Sequence, residues 1–271
     1  MQSGSYYDVT RHFLVIDGKP TKDFGVYLSG DGTFKAAEKN LEEFTIPGRN
    51  GTFHYKSDTY KNVMVPYDCF IFKDFKRNVA ALRSFLLSRE GYVRIEDTHH
   101  PGEFRMGIYH EEFDPEVFVD LTAAEFTLNF DCKPERWLMS GERLLLFDAP
   151  ASELGYSEFD IRNPTYFTSK PFYRVYKGIE TGNPPSFNIV NDDYLKPDGT
   201  YDDCYVYFDF GECPYIDLDT ETMDAYYGTT SMNNAVVLAA NRYPVLKPGM
   251  NKLFKSDEIL KIEIIPRWWT L

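Results

Sequence analysis

The sequence predicts a mainly β protein built from two domains, and three observations carry that reading. Aromatic residues make up 17% of the chain and recur beside Val, Ile and Thr in short runs, the composition of pleated, half-buried surfaces. Turn signals break the chain at short intervals, and only one stretch shows a helical period. With 271 residues, 43% of them hydrophobic, the chain is long enough for one large domain or two of average size, and a disordered or collagen-like protein is excluded.

The elements follow in order. Phe13 to Ile16 and Phe24 to Val26 flank Asp17-Gly18, a strong hairpin signal. A longer hairpin is predicted where Pro47-Gly48-Arg49-Asn50-Gly51 separates Phe44-Thr45-Ile46 from Thr52-Phe53-His54-Tyr55, since Asn-Gly suits positions that need positive φ. Lys73 to Arg89 is the single predicted helix, with Val79, Leu82, Phe85 and Leu86 on one face and Gly91 just beyond its end. Strands are predicted at Gly91 to Ile95, Phe104 to Tyr109, Val117 to Val119 and Glu125 to Asp131, the last alternating Phe126, Leu128 and Phe130 on one face.

Composition shifts after Trp137, where the chain enters a stretch containing Gly, Pro and Ser from Ser140 to Asn163. The boundary is therefore placed between about 135 and 145, giving domains 1–138 and 139–271. In the second half, short strands at Tyr173 to Tyr176, Ser186 to Val190, Cys204 to Phe210, Tyr215 to Leu218, Ala235 to Leu238 and Leu260 to Ile265 have the rhythm of a β-sandwich. No repeat period supports a solenoid or propeller.

A net charge of −13 leaves no general basic surface for non-specific nucleic-acid binding. No run approaches the length of a membrane span, and Met1 to Asp8 lacks the pattern of a signal peptide, so neither membrane insertion nor secretion is expected. Cys69, Cys132, Cys204 and Cys213 form no dense framework and read as reduced thiols in a cytosolic setting. Asn50-Gly51-Thr52 matches the glycosylation pattern, and without a secretory route it reads as a turn.

Candidate chemistry is sparse. Asp192-Asp193, Asp198, Asp202-Asp203, Asp217, Asp219 and Glu221 could offer oxygens to calcium, but no EF-hand order is present and a solvated acidic face is the simpler reading. Paired carboxylates could serve glycoside hydrolysis, yet the sequence cannot place two at the required separation. His99-His100 and His110 lack Cys or carboxylate partners at zinc-ligand spacing. No nucleophile elbow, phosphate-binding loop or dinucleotide motif occurs. The expectation is a non-enzyme with no catalytic residue, cofactor or metal. Tyr226-Tyr227 and Tyr205-x-Tyr207 are candidate exposed aromatics, with core or subunit-interface positions preferred for most. Trp268-Trp269 adds a constraint: neighbours on a strand point to opposite faces, so one of the two needs a second cover, from the first domain or a neighbouring subunit.

Several of these features fall into one order. The Asp17-Gly18 hairpin, Ile46-Pro47-Gly48-Arg49-Asn50-Gly51, Asp58-x-Tyr60, one helix ending in Leu86 to Gly91-Tyr92, and Phe130-Asp131-Cys132-Lys133-Pro134 resemble the N-terminal half of siphophage distal tail proteins. Tyr215 to Glu221 followed by Tyr226, then Tyr243 to Asn251, then a terminal strand ending Ile265-Pro266-Arg267, are similar to the closing segments of that family. The resemblance implies a first domain of sandwich type with one helix and a long hairpin, and a galectin-like second domain at the periphery. It further implies a virion subunit, assembled in the bacterial host cytoplasm, that forms a hexameric ring at the distal tail tip. Its partners would be tail tube protein, a tail-associated hub protein and a receptor-binding protein, with DNA only passing through the lumen. Site residues carried over are Pro47, Gly48, Arg49, Asn50 and Gly51 at the hairpin and Gly249 and Asn251 in the late turn, whose plain role is to shape turns; Trp268 and Trp269 are candidate interface aromatics on the strand-alternation argument alone. Residues 141–271 leave room for one sandwich and no inserted sugar-binding module. Three classes stay open: a structural tail subunit, a host-surface carbohydrate-binding module, and an enzyme using the acidic run.

Overall fold

The computed structural model describes residues 9–30, 32–72, 74–118, 122–195, 201–239 and 241–271, without the side chains of residues 9, 56–58, 192–195 and 201–202. Met1 to Asp8, Lys73, Val119 and Asp198 lie outside the described residues, as do the side chains of Asp58, Asp192, Asp193 and Asp202. The chain divides into two compact units, with the break between Arg136 and Trp137.

The first unit contains β1 (Leu14–Ile16), β2 (Lys19–Pro20), β3 (Val26–Leu28), β4 (Lys39–Thr45), β5 (Thr52–Tyr60), β6 (Val63–Phe72), α1 (Phe75–Leu87), β7 (Val93–Asp97), β8 (Glu103–Ile108), β9 (Glu116–Val117) and most of β10 (Ala123–Leu138). Its main sheet runs β2-β1-β7-β8-β10-β6-β3. Asp17 (φ 50°) and Gly18 (φ 75°) make the turn between β1 and β2, as a tight hairpin requires positive φ at both positions. Phe24 is not the second arm of that hairpin, as the sequence suggested. It lies in a 3-10 turn, Thr21–Phe24, ended by left-handed Gly25, and Val26 then enters β3 against β6.

Strand β6 buries Val63, Val65, Tyr67, Cys69 and Ile71, and β10 buries Ala124, Phe126, Leu128, Phe130 and Cys132, in an antiparallel register from Ala123 opposite Phe72 to Cys132 opposite Val63. These alternating faces enclose one core with β1, β3 and β7. Helix α1 adds Leu82 and Leu86, fully buried, with Val79 and Phe85 partly buried beside them, the face its period predicts. Gly107 on β8 admits no side chain, because a Cβ there would stand 2.8 Å from both Cys132 Sγ and Ile95 Cδ1.

The unit boundary falls inside β10 rather than in a loose linker. The stretch Ser140 to Asn163, read from composition as a boundary segment, instead carries β11 (Leu145–Asp148) and β12 (Tyr156–Asn163). The second unit continues with β13 (Phe172–Lys177), β14 (Ser186–Leu195), β15 (Tyr201–Phe208), β16 (Tyr215–Asp219), β17 (Asp224–Tyr227), β18 (Thr230–Ser231), β19 (Val236–Leu238), β20 (Gly249–Ser256) and β21 (Ile259–Ile265). They form two sheets, β11-β21-β13-β16-β17-β18 and β12-β20-β14-β15-β19. A shared core lies between them, built from residues such as Tyr173, Val175, Phe187, Val206, Ile216, Leu218, Leu253 and Ile262.

Polar residues also hold this sandwich together. Asn251 on β20 is completely buried, and its amide is saturated. Nδ2 donates to the carbonyls of Lys247 (2.8 Å), Gly249 (3.3 Å) and Ile161 (3.3 Å), while Oδ1 accepts from Lys247 N (3.0 Å) and Asn191 Nδ2 (3.1 Å). One side chain thus closes the turn around Gly249 (φ 85°) and ties β20 to β12 and β14. Asn251→Ala should lower unfolding stability by about 1–3 kcal/mol, since it orphans several buried partners at once. Urea denaturation followed by tryptophan fluorescence measures the loss, and an unchanged midpoint would show that these partners find replacements.

Candidate functional site

Among the described residues, strands β4 and β5 pair only with each other, as a two-stranded ribbon. Pro47 and Gly48 occupy the middle of its tip turn: Arg49 N donates to Ile46 O at 3.1 Å and Gly48 has φ 81°, the pattern of a Pro-Gly type II turn. Gly51 (φ 91°) then returns the chain to β5, so the second positive φ falls on glycine while Asn50 stays at negative φ. All five residues of the motif, Pro47 to Gly51, are exposed.

Cross-strand register decides what this arm presents. Phe44 stands opposite Phe53 and Glu42 opposite Tyr55, so these four share one face, while Thr45, Thr52, Glu43 and His54 share the other. Phe44, Phe53 and Tyr55 are 51%, 60% and 60% exposed, and Ile46 beside the tip is also exposed. An isolated two-stranded ribbon is marginal in water because one face has nothing to pack on. A row of exposed aromatics on such a ribbon marks a contact surface.

The base of the arm is tethered within its own unit. Lys61 N donates to Glu38 O at 2.9 Å and Asn40 Nδ2 to Thr59 Oγ1 at 2.8 Å. Buried Arg105 reaches Lys35 O at 2.9 Å, and Arg136 bridges Thr33 O (3.3 Å) and Glu103 (3.0 Å). Two guanidinium groups on the main sheet thereby hold the segment that leads into β4. Burial lowers the Arg105 pKa, and the neighbouring positive charge of Arg136 acts in the same direction.

The remaining sequence candidates do not converge on this arm. Gly249 and Asn251 belong to the second unit, and Asn251 is buried, so it shapes its turn rather than meeting a neighbour. Of the tryptophan pair, Trp268 is the one that shares the core of its own unit. Trp269, pointing to the other face, stacks on Phe167 at 4.4 Å and donates Nε1–H to Thr168 O at 3.0 Å. The second cover comes from the loop after β12.

Asp217 and Asp219, the carboxylates weighed for acid–base chemistry, are each clamped by an arginine. Arg174 contacts Asp217 at 2.6 and 2.8 Å, and Arg267 contacts Asp219 at 2.7 and 2.8 Å. His100 donates its Nδ1–H to the Asp97 carboxylate at 2.8 Å, and no cluster of His, Cys, Asp or Glu able to hold a metal ion occurs among the described residues. No disulfide joins the cysteines; burial pushes the Cys132 thiol up to about 12, far from thiolate reactivity.

Burial acts to raise the Asp219 pKa, but hydrogen bonds from Arg267 and from the backbone N–H groups of Glu221 and Thr222 outweigh it, and the net shift is downward. A depressed carboxylate pKa stabilises the fold above the unfolded-state value of about 3.9, and that contribution drains away as pH falls through the folded-state value. Asp219→Asn should therefore cost about 1.5–3 kcal/mol at neutral pH and progressively less below about pH 4. Chemical denaturation at pH 7 and pH 3 checks this; an equal cost at both would mean that the lost interaction is not ionic.

No protein-family model matches the chain, and no curated protein matches it. Among solved structures the chain is similar to the Dit protein of SPP1, described as a paradigm of the hub adsorption apparatus in phages infecting Gram-positive bacteria. Identity is 18%, with 96% of this chain and 99% of that chain covered at a TM-score of 0.69. A chain of the phage P2 baseplate, in its activated conformation with Ca, is similar at 13% identity, with 93% and 96% covered and a TM-score of 0.50. At these identities the likeness is one of fold, and this chain has the mainly β fold of the SPP1 Dit hub protein along nearly its whole length.

Proposed function

We propose that the chain is a structural subunit of the distal tail or baseplate hub of a long-tailed, non-contractile phage or prophage. In this reading it forms a hexameric ring that joins the tail tube to the tail-associated hub protein and the host-adhesion device. The observation that carries it is the extent of the fold likeness: it runs through both units and nearly the full length of both chains, not through one common sandwich. Residues 1–138 form the ring and residues 139–271 the peripheral, galectin-like domain that faces a receptor-binding protein. The protein works in the virion after assembly in the host cytoplasm, and its residues make contacts rather than catalyse.

The arm supplies a physical reason for self-assembly. A closed ring joins unlike patches of successive copies, so each subunit must offer a surface that it cannot cover itself. The Phe44, Phe53 and Tyr55 face is such a surface, and its occupant here is the next copy. A net charge of −13 suits a ring through which DNA passes without adhering.

Light scattering during size-exclusion chromatography tests the ring. Six copies of the 31.5 kDa chain elute at about 190 kDa if the closed six-fold assembly forms; the mass of one copy at every concentration up to 100 µM would overturn a self-assembling ring. The double variant Phe44→Ser/Phe53→Ser should abolish the assembly and leave the melting of both units unchanged, because the mutated side chains touch solvent in the single chain. Gly51→Val should impair assembly more than unit stability. Its neighbourhood is open, so the cost is backbone strain of about 1–2 kcal/mol confined to the tip. A well-folded Gly51→Val protein that assembles normally would remove the tip from the interface.

A further inference from the structure

The outer face of the second unit's sheet β12-β20-β14-β15-β19 carries a groove lined wholly by residues of that unit. Register places its residues in rows across the strands. Tyr156, Ser256, Ser186 and Tyr207 form one row; Glu158, Phe254, Asn188 and Tyr205 form the next; Asp160, Lys252, Val190 and Asp203 form a third. Through the middle strands β20 and β14 the side chains are mostly short, Ser256, Ser186, Asn188 and Val190. Longer ones rise to either side: Tyr156, Glu158, Lys252 and Phe254 on β12 and β20, and Tyr205 on β15. The result is a trough of about 940 Å³.

Its chemistry is mixed in a specific way. One wall is Tyr156 packed edge-on against Phe254 (5.8 Å), and the other is Tyr205 stacked beside Tyr207 (6.3 Å). Tyr156 and Tyr205 are 43% and 42% exposed, so aromatic surface is open on both sides. Between the walls stand the Ser186 and Ser256 hydroxyls, the latter also accepting from Ser186 N at 3.0 Å, the Asn188 amide, whose Oδ1 accepts from Cys204 N at 3.1 Å while its Nδ2 is a further donor, and the Glu158–Lys252 pair at 2.6 Å.

From this we infer that the groove binds a neutral oligosaccharide. A pyranose presents an apolar C–H face that packs on an aromatic ring and a rim of hydroxyls that both donate and accept, which is the complement of this trough. Charge selects against an anionic polymer: Lys252 is neutralised by Glu158, Asp203 lines the same groove, and the chain carries −13. Fold geometry selects against a peptide added as an extra strand, which recruits the open edge of a sheet. Here β20 and β14 are interior strands, hydrogen-bonded on both sides. The volume lies at the upper end of the range for small-molecule sites, roughly 300–1,000 Å³, and fits a few sugar units rather than a single one.

Ligand-observed saturation-transfer NMR on the full chain tests the proposal. The probes are maltotetraose, cellotetraose, β-1,4-galactotetraose and chitotetraose, with poly(glycerol phosphate) as the anionic comparator. The expected result is saturation transfer to at least one neutral probe at millimolar concentration, with affinity reduced about tenfold or more in Tyr205→Ala and in Tyr156→Ala, each of which removes an aromatic wall. Both residues are exposed, and circular dichroism melting confirms that the variants fold; two independent positions keep the test valid should one fail. No transfer to any neutral probe, stronger binding of poly(glycerol phosphate), or unchanged affinity in both variants would overturn it. Because the Phe44→Ser/Phe53→Ser protein should bind the same probe as the wild type, failure of sugar binding and failure of the ring are read separately.

Discussion

The register of β20 is the constraint on which the second unit depends, and it rests on one buried amide. Asn251 saturates its hydrogen bonds only when β20 stands where it does between β12 and β14. With that register, Leu253 and Lys255 point into the sandwich while Lys252, Phe254 and Ser256 point to the outer groove. A slip of one residue would exchange the two faces along the whole strand. Inward Lys255 is tolerated because its ammonium reaches Ile259 O at 2.7 Å, although burial lowers its pKa.

The first unit solves a different problem. Its main sheet and α1 cover one another's apolar faces, so its core is complete within the unit. The ribbon β4–β5 is left out of that economy, with a satisfied backbone ladder and an aromatic face exposed to water. Arg105 and Arg136 fix the segment entering the ribbon by binding its carbonyls, so the arm starts from a defined place on the sheet. An element held at its base and uncovered along one face is suited to contact, and this is why the arm, rather than any cluster of titratable groups, is the candidate site.

Acidic residues have a quieter role than their number suggests. Asp217 and Asp219 each meet an arginine in a two-pronged hydrogen bond, Asp97 caps the turn at His99 and His100, and Glu263 receives Tyr176 and Lys261. Charge-assisted bonds of this geometry position strands and chain ends. Arg267, bound to Asp219, also donates its backbone N–H to Gly141 O, where a Cβ would strike the Trp268 backbone.

What the sequence determined by itself was local. The mainly β composition, the helix with Leu82 and Leu86 inward, the Pro47 to Gly51 turn, and the alternation of Phe126, Leu128 and Phe130 were legible because each is written in neighbouring residues. Strand β20 was not, since two of its inward positions are Asn251 and Lys255, and polar residues at core positions erase the alternation that marks a strand. Strands β11 and β12 were hidden by a stretch whose Gly, Pro and Ser read as loop. The pairing of Phe44 with Phe53 and of Asn188 with Tyr205 and Phe254 was decided only by the tertiary structure. Those partners are set by cross-strand register, and register follows from distant groups such as the Asn251 amide that no local pattern can reveal.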